Sequence, residues 1–232
     1  MKKTALPIFL LILAGLALVT DLQAQKLGPF NSNTTKKIGP KTIAVPYTDV
    51  VSYLGYAEPN SEDAVVDGKK FYYIYVWIPA VAPELGVRMM SPAPSDVKLD
   101  APIMAANFEA NKASSDYFDT YITFERSSIL SADKITADGV KNATWTVLER
   151  NDDSGEMPKQ PSGSAYNSLL RYVSQAGDPL KALTVGLYRV GFTTYKTGEE
   201  KGTFLAQVGA PVKLPGVAMA KTIEDLHKQM GK

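Results

Sequence analysis

Hydrophobic and polar positions in this chain alternate in short runs of strand length separated by turn residues, and the clearest run is 71–78, FYYIYVWI. Every residue in it is aromatic or β-branched, and no polar position recurs at helical spacing. With Lys69-Lys70 before it and Pro79 after it, the run predicts a central strand buried on both faces, as in the middle of a sandwich. Proline cannot donate to a ladder, so the chain should leave the sheet at Pro79 and return as a strand over 87–90. Over 117–126 (YFDTYITFER), Phe118, Thr120, Ile122 and Phe124 alternate with Tyr117, Asp119, Tyr121, Thr123 and Glu125. That period of two predicts a strand with one buried face and places Asp119 on the solvated side.

Further strands are predicted over 42–45, 50–56, 143–148, 166–173, 183–195 and 203–208, about nine in all. Asp67-Gly68 has the chemistry of a hairpin turn leading into Phe71, and 198–201 reads as a second hairpin turn. Pro211 and Pro215 should end the sheet. Helical pieces fit within 101–113, within 131–140 with Ser131 as cap, as a turn at 178–183, and as a closing helix over 223–230 capped by Thr222 with Asp225 as reciprocal partner. Few helices and long crossovers between strands give the expected class: all-β with peripheral helices, an antiparallel jelly-roll-like β-sandwich over 42–217 followed by a C-terminal helix in 218–232.

The two ends and the composition add limits. Lys2-Lys3, the apolar run 5–19 and Leu22-Gln23-Ala24 read as a secretory signal peptide over 1–24, leaving Gln25 as the mature terminus. Residues 25–41 are polar and predict a flexible N-terminal arm. The chain holds no cysteine, which removes disulfides, thiolate metal sites, thiol catalysis and a lipid carried on an N-terminal cysteine. Export to the surface, the medium or the periplasm without a lipid anchor is therefore expected. With 25 basic and 24 acidic residues, the overall charge steers the chain to neither nucleic acid nor an anionic membrane. No later stretch is long and apolar enough to span a bilayer.

Candidate chemistry is sparse. His227 is the single histidine; it sits within the closing helix with nothing nearby to complete a triad or a metal site, which argues against acyl transfer. Paired carboxylates for glycoside hydrolysis stay open. The aromatic runs invite stacking on sugars, although core packing accounts for such runs as well. The polar loop 151–164, NDDSGEMPKQPSGS, gathers Asp152, Asp153 and Glu156 as hard oxygen ligands of the kind calcium takes, but too few to complete a shell alone.

Four segments, YIYVWIPAVAPELGVRMMSP (73–92), YFDTYITFERSS (117–128), YNSLLR (166–171) and GLYRVGFTTYKTGEEKGTFLAQVG (186–209), resemble in order the major outer-membrane surface lipoprotein family of pathogenic spirochaetes. The resemblance covers most of 42–217. It implies a jelly-roll sandwich exposed at the cell envelope that binds calcium and extracellular-matrix proteins without enzymatic activity. The family's calcium ligands fall here on Asp119 and Thr120, on Asp152 and Asp153, and on Tyr166. Three departures stand out: the lipid-bearing cysteine is missing, the acidic run is shorter, and the lysine-rich tail is cut short. The expected function is an exported, non-catalytic, calcium-binding protein that adheres to extracellular macromolecules, matrix-like proteins or glycans, with a homodimer left open. The alternative is an exported carbohydrate-active enzyme or carbohydrate-binding module using the aromatic strands; Tyr73, Trp77 and Tyr121 lining an open groove beside two carboxylates would favour it.

Overall fold

The computed structural model describes residues 27–94 and 98–231; the expected signal peptide and its cleavage point lie outside them. In chain order the elements are β1 (Asn31–Ile38), β2 (Lys41–Pro46), β3 (Asp49–Ala57), β4 (Ala64–Val66), β5 (Lys69–Ile78), β6 (Glu84–Met90), β7 (Ile103–Met104), α1 (Ala106–Asn111), β8 (Tyr121–Ser127), a 3₁₀ turn (Ala132–Lys134), α2 (Ala137–Asn142), β9 (Trp145–Asn151), β10 (Ser168–Val173), β11 (Gly186–Thr193), β12 (Gly202–Ala210), β13 (Ala218–Ala220) and α3 (Ile223–Gln229). One sheet runs β10-β6-β12-β3-β7, and the other runs β13-β5-β11-β8-β9 with β4 beside β5. Apart from the short parallel pair β3–β7, the described pairings are antiparallel. This is the predicted all-β sandwich with peripheral helices.

β5 shows why the two sheets close on each other. Its even-numbered residues Tyr72, Ile74, Val76 and Ile78 point between the sheets and are essentially inaccessible. There they meet Phe124, Tyr188 and Phe192 of the same sheet and Val87, Met89, Phe204 and Val208 of the other. The rings pack in offset stacks: Tyr72 on Phe192 at 5.4 Å, Phe124 on Tyr188 at 5.4 Å, Phe118 on Phe192 at 5.9 Å. Burying one such side chain contributes about 1.5–3 kcal/mol. Phe71, Tyr73 and Trp77 are buried too, on the outer face, with Tyr75 half-buried between them: Trp77 lies with Leu226 of α3 and Ile129, and Tyr73 lies under Arg189. A strand covered on both sides has no solvated face to alternate toward, which is why its sequence reads as one continuous apolar run.

Four strands went unread in the sequence. β1 occupies most of the stretch expected to be a flexible arm and pairs with β2; β4 is the short partner that the Asp67-Gly68 turn adds to β5; β7 has two residues; β13 follows Pro215 and extends the sheet past the expected end. At 117–120 the chain is not yet paired, so β8 begins at Tyr121. Thr136 rather than Ser131 caps a helix with its side chain, accepting from the Gly139 N–H, and 178–183 forms turns without a helix. The capping of α3 by Thr222 is as read.

The correction with the largest consequence is at 198–201. The stretch is not a hairpin: β11 pairs with β5 and β8 in one sheet while β12 pairs with β3 and β6 in the other. The connection between them therefore crosses the end of the sandwich. It is held there by Thr194, whose hydroxyl accepts from the Gly198 N–H (2.6 Å). Period-two alternation on both sides of a short turn cannot tell a hairpin from a change of sheet, because both strands keep one face inward.

Close packing across the five-stranded sheet supplies a test. A Cβ on Gly86 would lie 2.5 Å from Cζ and from the hydroxyl of Tyr47, whose hydroxyl donates to Glu84 (2.6 Å). Gly86→Ala is expected to destabilise by about 1–3 kcal/mol through this overpacking, read as a lower urea midpoint, and Tyr47→Phe should be milder. A Gly86→Ala midpoint equal to that of the parent would show the contact to be loose.

Candidate metal centre

Chain segments far apart in sequence converge at the end of the sandwich that the crossover spans. Asp119 stands just before β8. Its neighbours Phe118 and Thr120 are buried (5% and 0% exposed), which in extended chain turns the Asp119 carboxylate the opposite way. Asp152 and Asp153 follow β9, where Asn151 pairs with Ile122 of β8, so the register carries both aspartates out beside Asp119. Carboxylate oxygens of the three lie within 4.8 Å of one another. They open into a surface cavity of about 730 Å³ whose wall includes Tyr117, Tyr166, Tyr195 and Lys201.

The frame behind the carboxylates is hydrogen-bonded throughout. Thr120 donates from its N–H (3.0 Å) and its hydroxyl (3.1 Å) to the Tyr166 carbonyl. The Ser168 hydroxyl sits between the carbonyls of Thr120 and Asp152, and the Leu169 N–H donates to Asn151 Oδ1 (3.1 Å). The acidic loop, expected as a polar surface loop, is pinned from below. Met157 and Gln160 are buried, and the Gln160 amide donates to the carbonyls of Ser91 (3.0 Å) and Phe118 (2.6 Å). The aspartates are thus presented on a fixed backbone, which lowers the ordering cost of holding a ligand.

Their electrostatics are strained. Burial, and then the negative charges of Asp152 and Asp153, push the Asp119 carboxyl up to about 6. Burial also raises Asp152, with Asp153 adding to it, and burial raises Asp153. Two neighbours partly offset the strain at Asp119: the backbone N–H of Tyr195 by a hydrogen bond and Lys69 by its positive charge. The Lys69 ammonium, however, is bonded to the carbonyls of Thr194 (3.2 Å) and Tyr195 and lies over the rings of Tyr121 (5.5 Å) and Tyr195 (5.2 Å). Asp119 Oδ1 and Asp152 Oδ1 are buried without a hydrogen-bond partner. Leaving a charged oxygen buried and unpaired costs kilocalories, so this donor set fits a hard cation. Oxygens sharing one calcium lie no more than about 5 Å apart, and the three carboxylates already meet that limit.

Of the residues singled out in the sequence, Asp119, Asp152 and Asp153 come together. Thr120 and Tyr166 are at the same place, the Tyr166 carbonyl accepting both bonds from Thr120 and the Thr120 carbonyl accepting from the Ser168 hydroxyl. Glu156 is drawn away into a two-pronged ion pair with Arg171 (2.8 and 2.7 Å). Tyr195 was missed because it read as the end of a strand running into a hairpin turn at 198–201, and Lys69 because it read as the flank of the strand over 71–78. The His227 ring donates from Nε2 to the Ile135 carbonyl (2.6 Å) and so fastens α3 to the turn before α2. For the carbohydrate reading, Trp77 lies under α3, while Tyr73 and Tyr121 do border an outer-face groove of about 430 Å³. The face of Tyr73 there is covered by the Arg189 guanidinium at 3.6 Å, as is that of Trp145 at 4.0 Å. The adjacent Glu125 is tied to Arg189 (2.7 Å) and Thr123 (2.8 Å), so the Arg189 side chain occupies the centre of this groove, with Asp67 exposed at its rim.

Fold and site together define a β-sandwich that carries an acidic pocket at one end. Residues 41–219 match the Lipl32 family, described as a surface lipoprotein of the Spirochaetales order, and the chain belongs to that family. Membership makes it a protein of the cell surface. No curated protein matches the chain.

The raised Asp119 gives a pH prediction for metal-free protein. An aspartate holds its proton to about 3.9 in an unfolded chain and to about 6 at this position. Between those values the folded state binds more protons, so this group's contribution makes stability fall as pH rises from about 4 to about 6 and level off above. Carboxylates lowered by their partners, such as Glu156 beside Arg171, act in the opposite sense, so the informative quantity is the difference between variant and parent. In chelator, Asp119→Asn should melt higher than the parent at pH 7, with the gap closing toward pH 4. A variant that melts lower at pH 7 would contradict the strain.

Proposed function

We propose that this surface protein is non-catalytic and binds calcium at Asp119, Asp152 and Asp153, and that the ion stiffens the end of the sandwich through which the protein adheres to extracellular macromolecules, matrix-like proteins or glycans. The observation that carries the reading is the pair of buried, unpartnered oxygens, Asp119 Oδ1 and Asp152 Oδ1, on carboxylates already gathered within 4.8 Å. Three carboxylates, with water from the open cavity completing the shell, suit calcium's variable coordination better than magnesium's small octahedron. Thr120 and Tyr166 brace the centre through the bonds between them. A divalent charge also relieves the mutual repulsion that raises Asp119, so binding and stability are coupled.

A ligand that binds only the folded state stabilises it by RT ln(1 + [L]/Kd), about 2.7 kcal/mol at a hundredfold excess over Kd. Calcium is therefore expected to raise the melting temperature by several degrees and magnesium to do much less. Asp152→Asn with Asp153→Asn keeps the side-chain size and removes two charges, so the calcium shift should vanish with the chelated protein no less stable than the parent. An equal shift in parent and double variant, or none in either, would contradict the site. Adhesion is read separately: retention on matrix-protein or glycan surfaces should be stronger in calcium than in chelator, and calcium-independent retention would detach adhesion from this centre.

A further inference from the structure

The hairpin β1–β2 belongs to neither sheet of the sandwich; its strands pair only with each other. Its base is fastened to the protein. Phe30 is buried with its ring edge-on to Tyr47 at 4.5 Å and beneath the Arg88 guanidinium at 4.4 Å. The Asn33 N–H donates to Glu84 (2.9 Å), and Arg171 Nε donates to the Asn31 carbonyl (2.7 Å). Beyond this base every residue from 33 to 44 is exposed. A two-stranded ribbon covered on neither face is marginal in water, so an uncovered ribbon on a fixed base is suited to contact with something outside the chain.

The cross-strand register shows what the ribbon offers. Lys36 pairs with Ile43 and Ile38 with Lys41; paired residues share a face, as do residues two apart on one strand. One face therefore carries two lysines interleaved with two isoleucines, Ile38 at 55% and Ile43 at 44% exposure. The other carries Thr35, Lys37, Thr42 and Ala44. Gly39, at φ 59°, makes the tight turn that ends the ribbon next to these residues. No acidic residue occurs from 27 to 48, so a chain of nearly balanced charge has a protruding element of one sign. The lysines call for an anionic partner. The isoleucines call for one with an apolar layer directly beneath its charge, and an anionic bilayer has both.

We infer that the face formed by Lys36, Ile38, Lys41 and Ile43 docks onto an anionic phospholipid surface, the lysines meeting phosphates and the isoleucines entering the boundary below them. Membership of a surface lipoprotein family agrees with a working position beside a membrane. The inference is independent of the cation reading of Asp119, Asp152 and Asp153. It is tested by co-sedimenting the full chain with vesicles of phosphatidylcholine alone and of phosphatidylcholine mixed with phosphatidylglycerol. Binding should require the anionic lipid and weaken as salt rises. Lys36→Gln with Lys41→Gln should lower partitioning on the order of 10- to 30-fold, since each lysine near an anionic surface is worth roughly a factor of five. Ile38→Ser with Ile43→Ser should weaken binding while keeping its salt dependence. All four positions are exposed, so the variants should melt as the parent does. Failure to bind either vesicle, equal binding to both, or binding unchanged in both variants overturns the inference. So does retention on heparin without vesicle binding, which gives the face to an acidic glycan, or a self-association lost in the isoleucine variant, which gives it to a second copy.

Discussion

The placement of β11 and β12 in opposite sheets is the constraint on which the rest depends. β11 is fixed between β5 and β8 by thirteen paired positions, and β12 is fixed between β3 and β6. The short segment joining them must therefore pass over the end of the sandwich. That passage brings Thr194 and Tyr195 to the place where β8 begins and β9 ends, and the Lys69 ammonium, from the start of β5, bonds to their carbonyls there. The pocket is thus a product of strand order: Asp119 comes from the segment leading into β8, Asp152 and Asp153 from the segment leaving its neighbour β9, and the covering backbone from the crossover. The apolar burial that fixes strand order also fixes carboxylate positions, so the acidic cluster cannot spread to relieve its repulsion.

That coupling accounts for the electrostatics. Three carboxylates on mobile loops would separate and stay solvated. Here Thr120, Ser168, Asn151 and Gln160 hold the backbone by bonds to other backbone groups, and Asp119 rises to about 6 as a result. Of the lysines near the carboxylates, Lys69 has its ammonium tied to carbonyls and Lys201 is paired with Asp116 (3.0 Å). A second strained carboxyl lies within the crossover: Glu200 is fully buried and pushed by burial up to about 9. At that value Glu200 keeps its proton at neutral pH and adds no charge, so the charge left to balance at this end is that of Asp119, Asp152 and Asp153, and a hard divalent cation is its simplest complement.

Much of this was legible in the sequence, for reasons that can be named. Phe71–Ile78 and the alternating stretch around Ile122 announce buried strands, because apolar side chains of that density have nowhere to go except between layers. Asp152 and Asp153 stand out in the acidic loop itself, while Asp119 is joined to them only through the resemblance, since spacing alone leaves the loop pair short of ligands. β1 was unreadable because its residues from Asn31 to Lys37 are polar and most of them exposed; their order comes from pairing with β2 and from the clamp at Phe30 and Asn33, contacts with no local signal. The crossover was misread since a turn between two apolar runs looks the same whether or not the runs pair. Lys69 looked like the flank of a strand, and only the fold shows that it faces the aspartates.

The most direct measurement is diffraction from crystals grown in chelator and then soaked in calcium, with anomalous scattering used to locate the ion. A single strong peak about 2.3–2.6 Å from carboxylate oxygens of Asp119, Asp152 and Asp153, with the backbone from Asp152 to Ser168 unmoved, is the predicted result. A peak elsewhere on the surface, or a pocket that stays filled by water at calcium concentrations that saturate any thermal shift, would contradict it.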